Sequence, residues 1–216
     1  MQRQVVSNEA FTRLVQRMRT NVTKQETLTV LIGAGCSLTS SSNDITTVGI
    51  ITKLVCRYCS QNEMPQNWVE LYKKFVNNVW QGQGELERIH MLETFFEHMS
   101  PSIGYQTLRW LVEQQYVTNI ITTNFDNMID KALSGLSYHL IVGTHEENIG
   151  MNPNFTLIKA HGDLKFGQLR FAPDELTQLP DLLIKRIREL THTTVFVVGY
   201  RGQDIGLLNA LDQRKD

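Results

Sequence analysis

A run of apolar residues that stops abruptly on glycine is the feature that most constrains the fold of this chain. Residues 28–42 read LTVLIGAGCSLTSSS, so a β-type run ends at Gly33-Ala34-Gly35 and continues into polar residues. Glycine has no Cβ, and in such a turn the backbone N–H groups point outward, where a charged group can approach closely. The pattern predicts a buried strand followed by a phosphate-binding turn, with a purely structural βα turn as the alternative. Residues 38–42 lack the third glycine of the common dinucleotide fingerprint, so the ordinary oxidoreductase form is not met.

Length and charge exclude several classes of protein. The 216 residues suffice for one domain, or for one domain with an insertion, and the formal net charge is −1. A neutral chain has no general field that would attract nucleic acid or anionic lipid. No window approaches the roughly 18 apolar residues that a membrane span requires, and the first residues lack the apolar core of a signal peptide. We therefore expect a cytoplasmic protein that binds neither membranes nor nucleic acid directly.

The cysteines argue against a metal site or a disulfide framework. There are three of them, Cys36, Cys56 and Cys59, and an odd number cannot complete such a framework. Cys56 and Cys59 form a Cys-x-x-Cys pair, but a zinc ribbon needs a second pair, which the sequence lacks. A redox pair normally follows a strand, whereas this one lies in the helical pattern of residues 50–60. We predict two half-buried thiols on a helix, and no bound metal.

The order of helical and strand patterns indicates an α/β fold. Residues 8–20 have the spacing of an amphipathic helix, and residues 49–115 have helical periodicity with almost no β signal. Strands are predicted at 117–122, 137–142, 155–160 and 193–198, with helices at 126–133, 173–190 and 205–211. Pro180 should kink or divide the helix at 173–190. The alternation predicts a Rossmann-like, doubly wound, mainly parallel sheet, with an inserted helical module at about 49–115 over the glycine turn.

Polar residues follow the predicted strands in a recurring way. Thr122-Thr123-Asn124-Phe125-Asp126 ends one strand, His161-Gly162-Asp163 another, and Gly199-Tyr200 the last. Since ligands of such sheets bind beyond the carboxyl ends of the strands, these residues should converge on one crevice. An amide, a carboxylate and an imidazole beside a phosphate-binding turn suit acid/base chemistry on a phosphorylated ligand. Purely structural roles stay open, with Asn124 or Asp126 as a helix cap and His161 as a turn residue.

Three of these motifs, GAGCS, TTNFD (122–126) and KAHGD (159–163), together resemble the sirtuin superfamily of NAD-consuming enzymes. The resemblance runs from about residue 28 to about residue 211. TTNFD and the ending VGYRGQDI (198–205) are more similar to the branch at the front of bacterial antiphage defence proteins, which hydrolyses NAD+, than to the protein deacylases. Deacylases follow the glycine turn with Gly-Ile-Pro-Asp-Phe-Arg and carry a four-cysteine zinc module after the catalytic histidine. This chain has TVGIIT at 47–52 and no cysteine after His161.

The resemblance implies roles for individual residues. Asn124 would fix the nicotinamide ribose or the attacking water, Asp126 would hold a ribose hydroxyl or orient the loop, and His161 would be the general base. NAD+ would be the substrate, without a metal, and the products would be nicotinamide and ADP-ribose. The residues expected to bind NAD+ are Gly33, Ala34, Gly35, Ser37, Thr123, Gly199, Tyr200 and Asp204.

The resemblance also implies how the protein works in the cell. Residues 1–216 would form one sirtuin-like domain, the N-terminal module of a longer protein that depletes NAD+ in antiphage defence. Such a module would form a homo-oligomer or act with a fused or associated sensor or ATPase module. Two alternatives stay open, an NAD-dependent protein deacylase and a non-catalytic module that binds NAD or ADP-ribose. Release of nicotinamide separates the two enzymes from the binding module.

Overall fold

The computed structural model describes residues 8–24, 28–39, 47–59, 64–65 and 67–212. Within them, six strands form one sheet in the order β4-β3-β5-β2-β1-β6. The strands are β1 (Leu28–Ile32), β2 (Asn119–Thr122), β3 (Tyr138–Val142), β4 (His145–Ile149), β5 (Thr156–Lys159) and β6 (Thr194–Val198). All neighbouring strands pair in parallel except β3 and β4. The predicted Rossmann-like, mainly parallel sheet is confirmed.

The helices lie where the helical patterns predicted them, with altered bounds. They are α1 (Asn8–Lys24), α2 (Thr47–Tyr58), α3 (Trp68–Phe75), α4 (Glu85–Phe96), α5 (Ile103–Glu113), α6 (Met128–Ala132), α7 (Pro173–Thr177), α8 (Asp181–Thr191) and α9 (Ile205–Asp212). A 3₁₀ helix (Ala34–Thr39) follows β1, and a π-helical turn (Val76–Trp80) extends α3. The break between α7 and α8 contains Pro180, whose ring cannot continue a helix, so the predicted division there is confirmed.

β1 lies inside the sheet and explains the layout of the core. All five of its residues are buried, as expected for a strand covered on both faces. Because side chains alternate along a strand, Val30 packs with the apolar residues of α2 to α5 on one face, and Leu31 packs with those of α8 and α9 on the other. The long helical segment between β1 and β2 therefore covers one face of the sheet.

One strand of the sheet was not predicted from the sequence. β4 reads HEENI and pairs antiparallel with β3 across a turn at Gly143, whose φ is +59°. It was not predicted because polar residues predominate in it, which is typical of an edge strand. Residues 163–171 form a loop in which one antiparallel bridge joins Asp163 and Gly167.

Parts of some predictions fall outside the residues that the structure describes. Residues 40–42 of the glycine-turn stretch, residue 60 of the helical pattern around the cysteines, and both ends of the span 1–216 lie outside the described ranges. Among the helices that the structure describes, none is long and apolar enough to cross a membrane.

Candidate active site

The carboxyl ends of four adjacent parallel strands, β5, β2, β1 and β6, form one edge of the sheet. Backbone hydrogen bonds link these ends in series. The N–H of Ala160 donates to the oxygen of Thr122 at 2.8 Å, that of Thr123 to Ile32 at 3.1 Å, and that of Gly33 to Val198 at 3.0 Å. The predicted site residues at these four strand ends are therefore brought together at one edge, as ligand binding in such sheets requires.

The glycine turn packs directly against the loop that follows β6. A Cβ on Gly33 would lie 2.7 Å from Tyr200 Cα, and one on Gly35 would lie 2.8 Å from Gly199 Cα. The N–H of Gly35 also donates to the Gly199 carbonyl at 2.9 Å. In this arrangement the N–H groups of Gly33 and Gly35 are engaged by the protein, so contact between two backbones is a sufficient reason for glycine here. Ala34, between them, is exposed.

Asn124, Ser37 and Asp126 form one buried polar network. The amide nitrogen Nδ2 of Asn124 lies 3.3 Å from the Gly33 carbonyl oxygen and 3.3 Å from Ser37 Oγ. The Ser37 hydroxyl donates to Asp126 Oδ2 at 3.1 Å. All three side chains are buried. The structure thus joins the glycine turn to the residues after β2, as predicted, through side chains rather than through the backbone of the turn.

Tyr105, on α5, completes this network and was missed in the sequence. Its hydroxyl oxygen accepts from Asn124 Nδ2 at 3.0 Å and lies 2.9 Å from Ser37 Oγ. Since the Ser37 proton goes to Asp126, the Tyr105 hydroxyl donates to Ser37, and the bonds run from Asn124 to the Asp126 carboxylate. Burial raises the pKa of Tyr105 above its usual value of 10. In the sequence, Tyr105 has the helical spacing of a core residue, and no motif marks it.

Asp126 serves both the network and the start of α6. Its Oδ1 accepts from the N–H of Met128, the first residue of α6, at 2.9 Å, although Asn127 and not Asp126 occupies the N-cap position of this helix. Burial raises the pKa of this carboxyl, and the hydrogen bond from Met128 acts in the opposite direction. The side chain of Asn124, in contrast, points to Gly33, Ser37 and Tyr105.

A fully buried lysine connects the loops after β2 and β5. Lys159 Nζ donates to the Asp126 carbonyl at 3.1 Å and forms ion pairs with Asp130 and Asp163. Burial opposes the charge on Lys159, but the two carboxylates outweigh it and raise the pKa of the lysine. The ammonium group therefore stays charged and fixes the distance between the two loops that carry Asn124 and His161.

His161 pairs with Asp204, a residue predicted to bind NAD+. Its Nε2 contacts Asp204 Oδ2, and both side chains are largely buried. In the described part of the chain, the hydrogen bonds recorded for the side chains of His161 and Asn124 do not join the two. The imidazole and the amide thus belong to two separate networks at the same edge of the sheet.

The remaining predicted residues lie near these networks. Thr123 is half-buried at the end of β2, and Gly199 has a φ of +64°, where a Cβ would lie 2.6 Å from Cys36 N. Burial, assisted by the charge of Asp204, raises the pKa of the Tyr200 hydroxyl to about 12. Tyr200 therefore keeps its proton near neutral pH and can act only as a neutral hydrogen-bonding group there.

The prediction of two half-buried thiols on a helix holds only in part, because Cys56 lies on α2 whereas Cys59 lies just after the end of this helix. Cys56 is exposed and Cys59 half-buried. Burial raises the pKa of the Cys36 thiol, which disfavours the reactive thiolate. Over residues 8–24, 28–39, 47–59, 64–65 and 67–212, no group of three or more His, Cys, Asp or Glu side chains is placed to hold a metal ion.

Comparison with known proteins identifies a domain and a fold. Residues 118–216 match the family model of the SIR2-like domain. A structure from a study of sirtuin substrate affinity aligns with a TM-score of 0.50 and 17% identity, over 97% of this chain and 84% of that chain. A mutant of a Sir2 homologue in complex with ADP-ribose aligns with a TM-score of 0.47 and 16% identity, over 88% of this chain and 77% of that chain. Sir2 bound to an acetylated peptide aligns with a TM-score of 0.45 and 11% identity, over 93% of this chain and 82% of that chain. No curated protein matches.

The SIR2-like match and the alignment with a TM-score of 0.50 support the predicted resemblance at the level of the domain and the fold. The first alignment shows a sirtuin-like Rossmann fold over nearly the whole chain. The SIR2-like match begins just before β2, so it includes Asn124, His161 and Asp204 but not the glycine turn. The predicted role of the glycine turn in binding a nucleotide therefore rests on the place of this turn in the fold alone.

Proposed function

We propose that this domain binds NAD+ and hydrolyses its nicotinamide–ribose bond, releasing nicotinamide and ADP-ribose. One observation carries the proposal. Asn124 and the His161–Asp204 pair lie at the carboxyl edge of neighbouring parallel strands, and these three residues fall within the stretch that matches the SIR2-like domain. Acting in the cytoplasm as the N-terminal module of a longer protein, the domain would deplete NAD+ during antiphage defence.

The residue types suit this reaction. When the bond between C1′ of the ribose and the nicotinamide nitrogen breaks, its electron pair leaves with nicotinamide, and the sugar becomes oxocarbenium-like. Water then attacks C1′ and gives up a proton, for which His161 is the base. The Nδ2 group of Asn124 is engaged by the protein, so we assign its Oδ1 to a ribose hydroxyl or to the attacking water. The buried Asp126 carboxylate holds this amide in place through Ser37 and Tyr105.

Alanine variants of the two central residues test the proposal. His161→Ala should lose about 10²–10⁴-fold in NAD+ hydrolysis, because a positioned general base typically contributes that much. Asn124→Ala should lose at least as much, since a misplaced water or ribose forfeits orientation. Asp126→Ala should fall between these variants and the wild type.

Production of nicotinamide and ADP-ribose is measured for each folded variant, together with whatever parent chain or partner activates the wild type. The matched control is His98→Ala, because the His98 side chain is exposed and lies at the end of α4. Near-normal turnover by both Asn124→Ala and His161→Ala would contradict the enzymatic proposal.

A binding module without catalysis is the second candidate, and one observation favours it. The hydrogen bonds recorded for the described side chains do not join Asn124 to His161, so the amide and the candidate base are held in two separate networks. If titration shows that the protein binds NAD+ or ADP-ribose, and no nicotinamide is released even with its parent chain, the domain is such a module.

The assembly that we propose, a homo-oligomer, is supported by one apolar surface. The outer strand β6 exposes Phe196, Val197 and Val198, and the following helix α9 exposes Ile205 and Leu208. Exposed apolar residues that cluster along one edge favour contact with another protein surface. We assign this edge to a second copy of the chain.

A further inference from the structure

We infer that Asp204 is a positioning residue that holds His161 in the tautomer with its proton on Nε2, which leaves Nδ1 as the basic nitrogen. His161 Nε2 lies in hydrogen-bond contact with Asp204 Oδ2, and the two side chains are only 13% and 4% exposed. An ionised carboxylate accepts hydrogen bonds and donates none, so a neutral imidazole facing it carries its proton on Nε2. The catalytic part of this inference rests on the proposed function, whereas the tautomer itself does not.

The side chain and the backbone carbonyl of Asp204 are both fixed by hydrogen bonds to the start of α9. Oδ1 accepts from the N–H of Leu207 at 3.0 Å, and the Asp204 carbonyl accepts from the N–H of Leu208 at 3.0 Å. Asp204 is therefore the N-cap of α9, and only Oδ2 is directed to His161. α9 packs against α7 and α8, and a Cβ on Gly206 would lie 2.3 Å from the Leu176 carbonyl oxygen. A helix packed this closely keeps the carboxylate in a fixed position.

The backbone around His161 is fixed as well. The carbonyl of His161 accepts from the N–H of Arg170 at 2.9 Å. The next residue, Gly162, has a φ of +88°, and a Cβ there would lie 2.3 Å from the Gln168 carbonyl oxygen. With backbone and Nε2 both held, Nδ1 is the ring nitrogen left to take a proton from the attacking water.

Asp204→Asn separates this role from a merely structural one. Asparagine caps a helix as well as aspartate does, so its Oδ1 can keep the bond to the Leu207 N–H. Its NH₂ group then faces His161, and because that group only donates, Nε2 must become the acceptor. The proton therefore moves to Nδ1, which removes the lone pair that we assign to the base. The size of the side chain and the cap of α9 are preserved.

The first experiment determines the tautomer of His161 directly and does not require enzymatic activity. Nitrogen-15 NMR of the histidine rings is recorded at alkaline pH, where imidazoles are neutral, and His161→Gln assigns the signal. We expect the Nε2–H form in the wild type and the Nδ1–H form in Asp204→Asn. The control is Asp181→Asn, an exposed aspartate in the first turn of α8, which should leave the His161 signal unchanged. A wild type with its proton on Nδ1, or no change in Asp204→Asn, would overturn the inference.

The second experiment measures the kinetic consequence. Fixing a catalytic histidine in the wrong tautomer lowers kcat by about 10⁴-fold in the known carboxylate–histidine case, so Asp204→Asn should approach that loss with little change in KM. If Asp204 served only to bind NAD+, KM would rise and kcat would stay, which contradicts the catalytic part. If the wild type hydrolysed no NAD+ while the NMR result held, the proposed function would fail and the tautomer assignment would stand.

Discussion

A single tyrosine from the helical segment illustrates how the site depends on side chains far apart in the sequence. Tyr105 lies on α5, yet its hydroxyl accepts from Asn124 and donates to Ser37. Because all these groups are buried, each has few other partners available. The hydroxyl therefore has a structural and a positioning effect at once.

We predict that Tyr105→Phe lowers the free energy of unfolding by about 1–3 kcal/mol, the usual cost of leaving a buried hydrogen-bonding group unpaired. The ring and its packing are retained, so the change reports the hydroxyl. Urea unfolding of the two proteins measures it. Tyr58→Phe is the control, because Tyr58 is 50% exposed on α2 and should change the stability by less than about 0.5 kcal/mol. Equal stability of Tyr105→Phe and wild type would contradict the network.

The glycine turn gives a second prediction for a single residue. Gly35→Ala places a Cβ 2.8 Å from the Gly199 backbone, so we expect a loss of about 1–3 kcal/mol of stability even without nucleotide. Gly104→Ala is the matched control, since the nearest atom to its added Cβ is Ser102 Oγ at 3.5 Å, and alanine favours the helix by about 0.5–1 kcal/mol. Urea unfolding without ligand measures both. An unaffected Gly35→Ala protein would mean that the two turns do not pack as described.

At the scale of an element, the short helix α7 is anchored by one carboxylate. Glu175 accepts from the N–H groups of Phe171 and Ala172 at 2.8 and 2.9 Å. It also accepts from Trp80 Nε1 at 3.0 Å and forms an ion pair with Arg88 at 2.7 Å. Burial opposes the charge of Glu175, but these hydrogen bonds outweigh it and lower its pKa below the ordinary 4.5. The carboxylate thereby ties α7 to α4 and to the π-helical turn.

We predict that Glu175→Gln lowers the free energy of unfolding at pH 7 by about 1.5–3 kcal/mol, the range for a hydrogen bond to a charged group. A carboxyl whose pKa is lower in the folded state stabilises the protein above its unfolded pKa, here near 4.5, and this contribution is lost as the pH falls through the folded pKa. The difference between variant and wild type should therefore narrow below about pH 4.

Urea unfolding from pH 7 to pH 3 measures this dependence. Glu93→Gln is the control, because Glu93 is exposed on α4 and should show no such narrowing. If the difference in free energy of unfolding between Glu175→Gln and the wild type stays constant down to pH 3, the pKa of Glu175 is not lowered in the folded protein.

At the scale of the whole molecule, one edge of the sheet exposes apolar side chains to water. The strand β6 reads TVFVV, has β1 as its neighbour on one side, and exposes Phe196, Val197 and Val198. We predict that the protein self-associates through this edge, and that Val197→Lys weakens the association, since a lysine on an edge strand opposes pairing with another strand.

Light scattering coupled to size-exclusion chromatography, over a range of concentrations, measures the effect. Val69→Lys is the control, because Val69 is 59% exposed on α3, outside the sheet. Equal association of Val197→Lys and wild type would place any contact between copies elsewhere on the surface.

Much of the fold was predictable because its signals are local. The run before Gly33, the helical segment between β1 and β2, and the break at Pro180 all depend on residue periodicity and turn chemistry over a few positions. β4 was missed because polar residues predominate in this edge strand instead of an apolar alternation. The convergence of Asn124, Asp126 and His161 on one edge followed from the parallel sheet alone.

The sequence by itself thus determined which residues end the strands and, from them, where a ligand site should lie. Only the tertiary structure decided which side chains meet there. It placed Tyr105 on Asn124, buried Lys159 between Asp130 and Asp163, and paired His161 with Asp204. The physical reason is that strand ends are set by neighbours in sequence, whereas a buried polar group must find a partner wherever packing brings one, often many residues away.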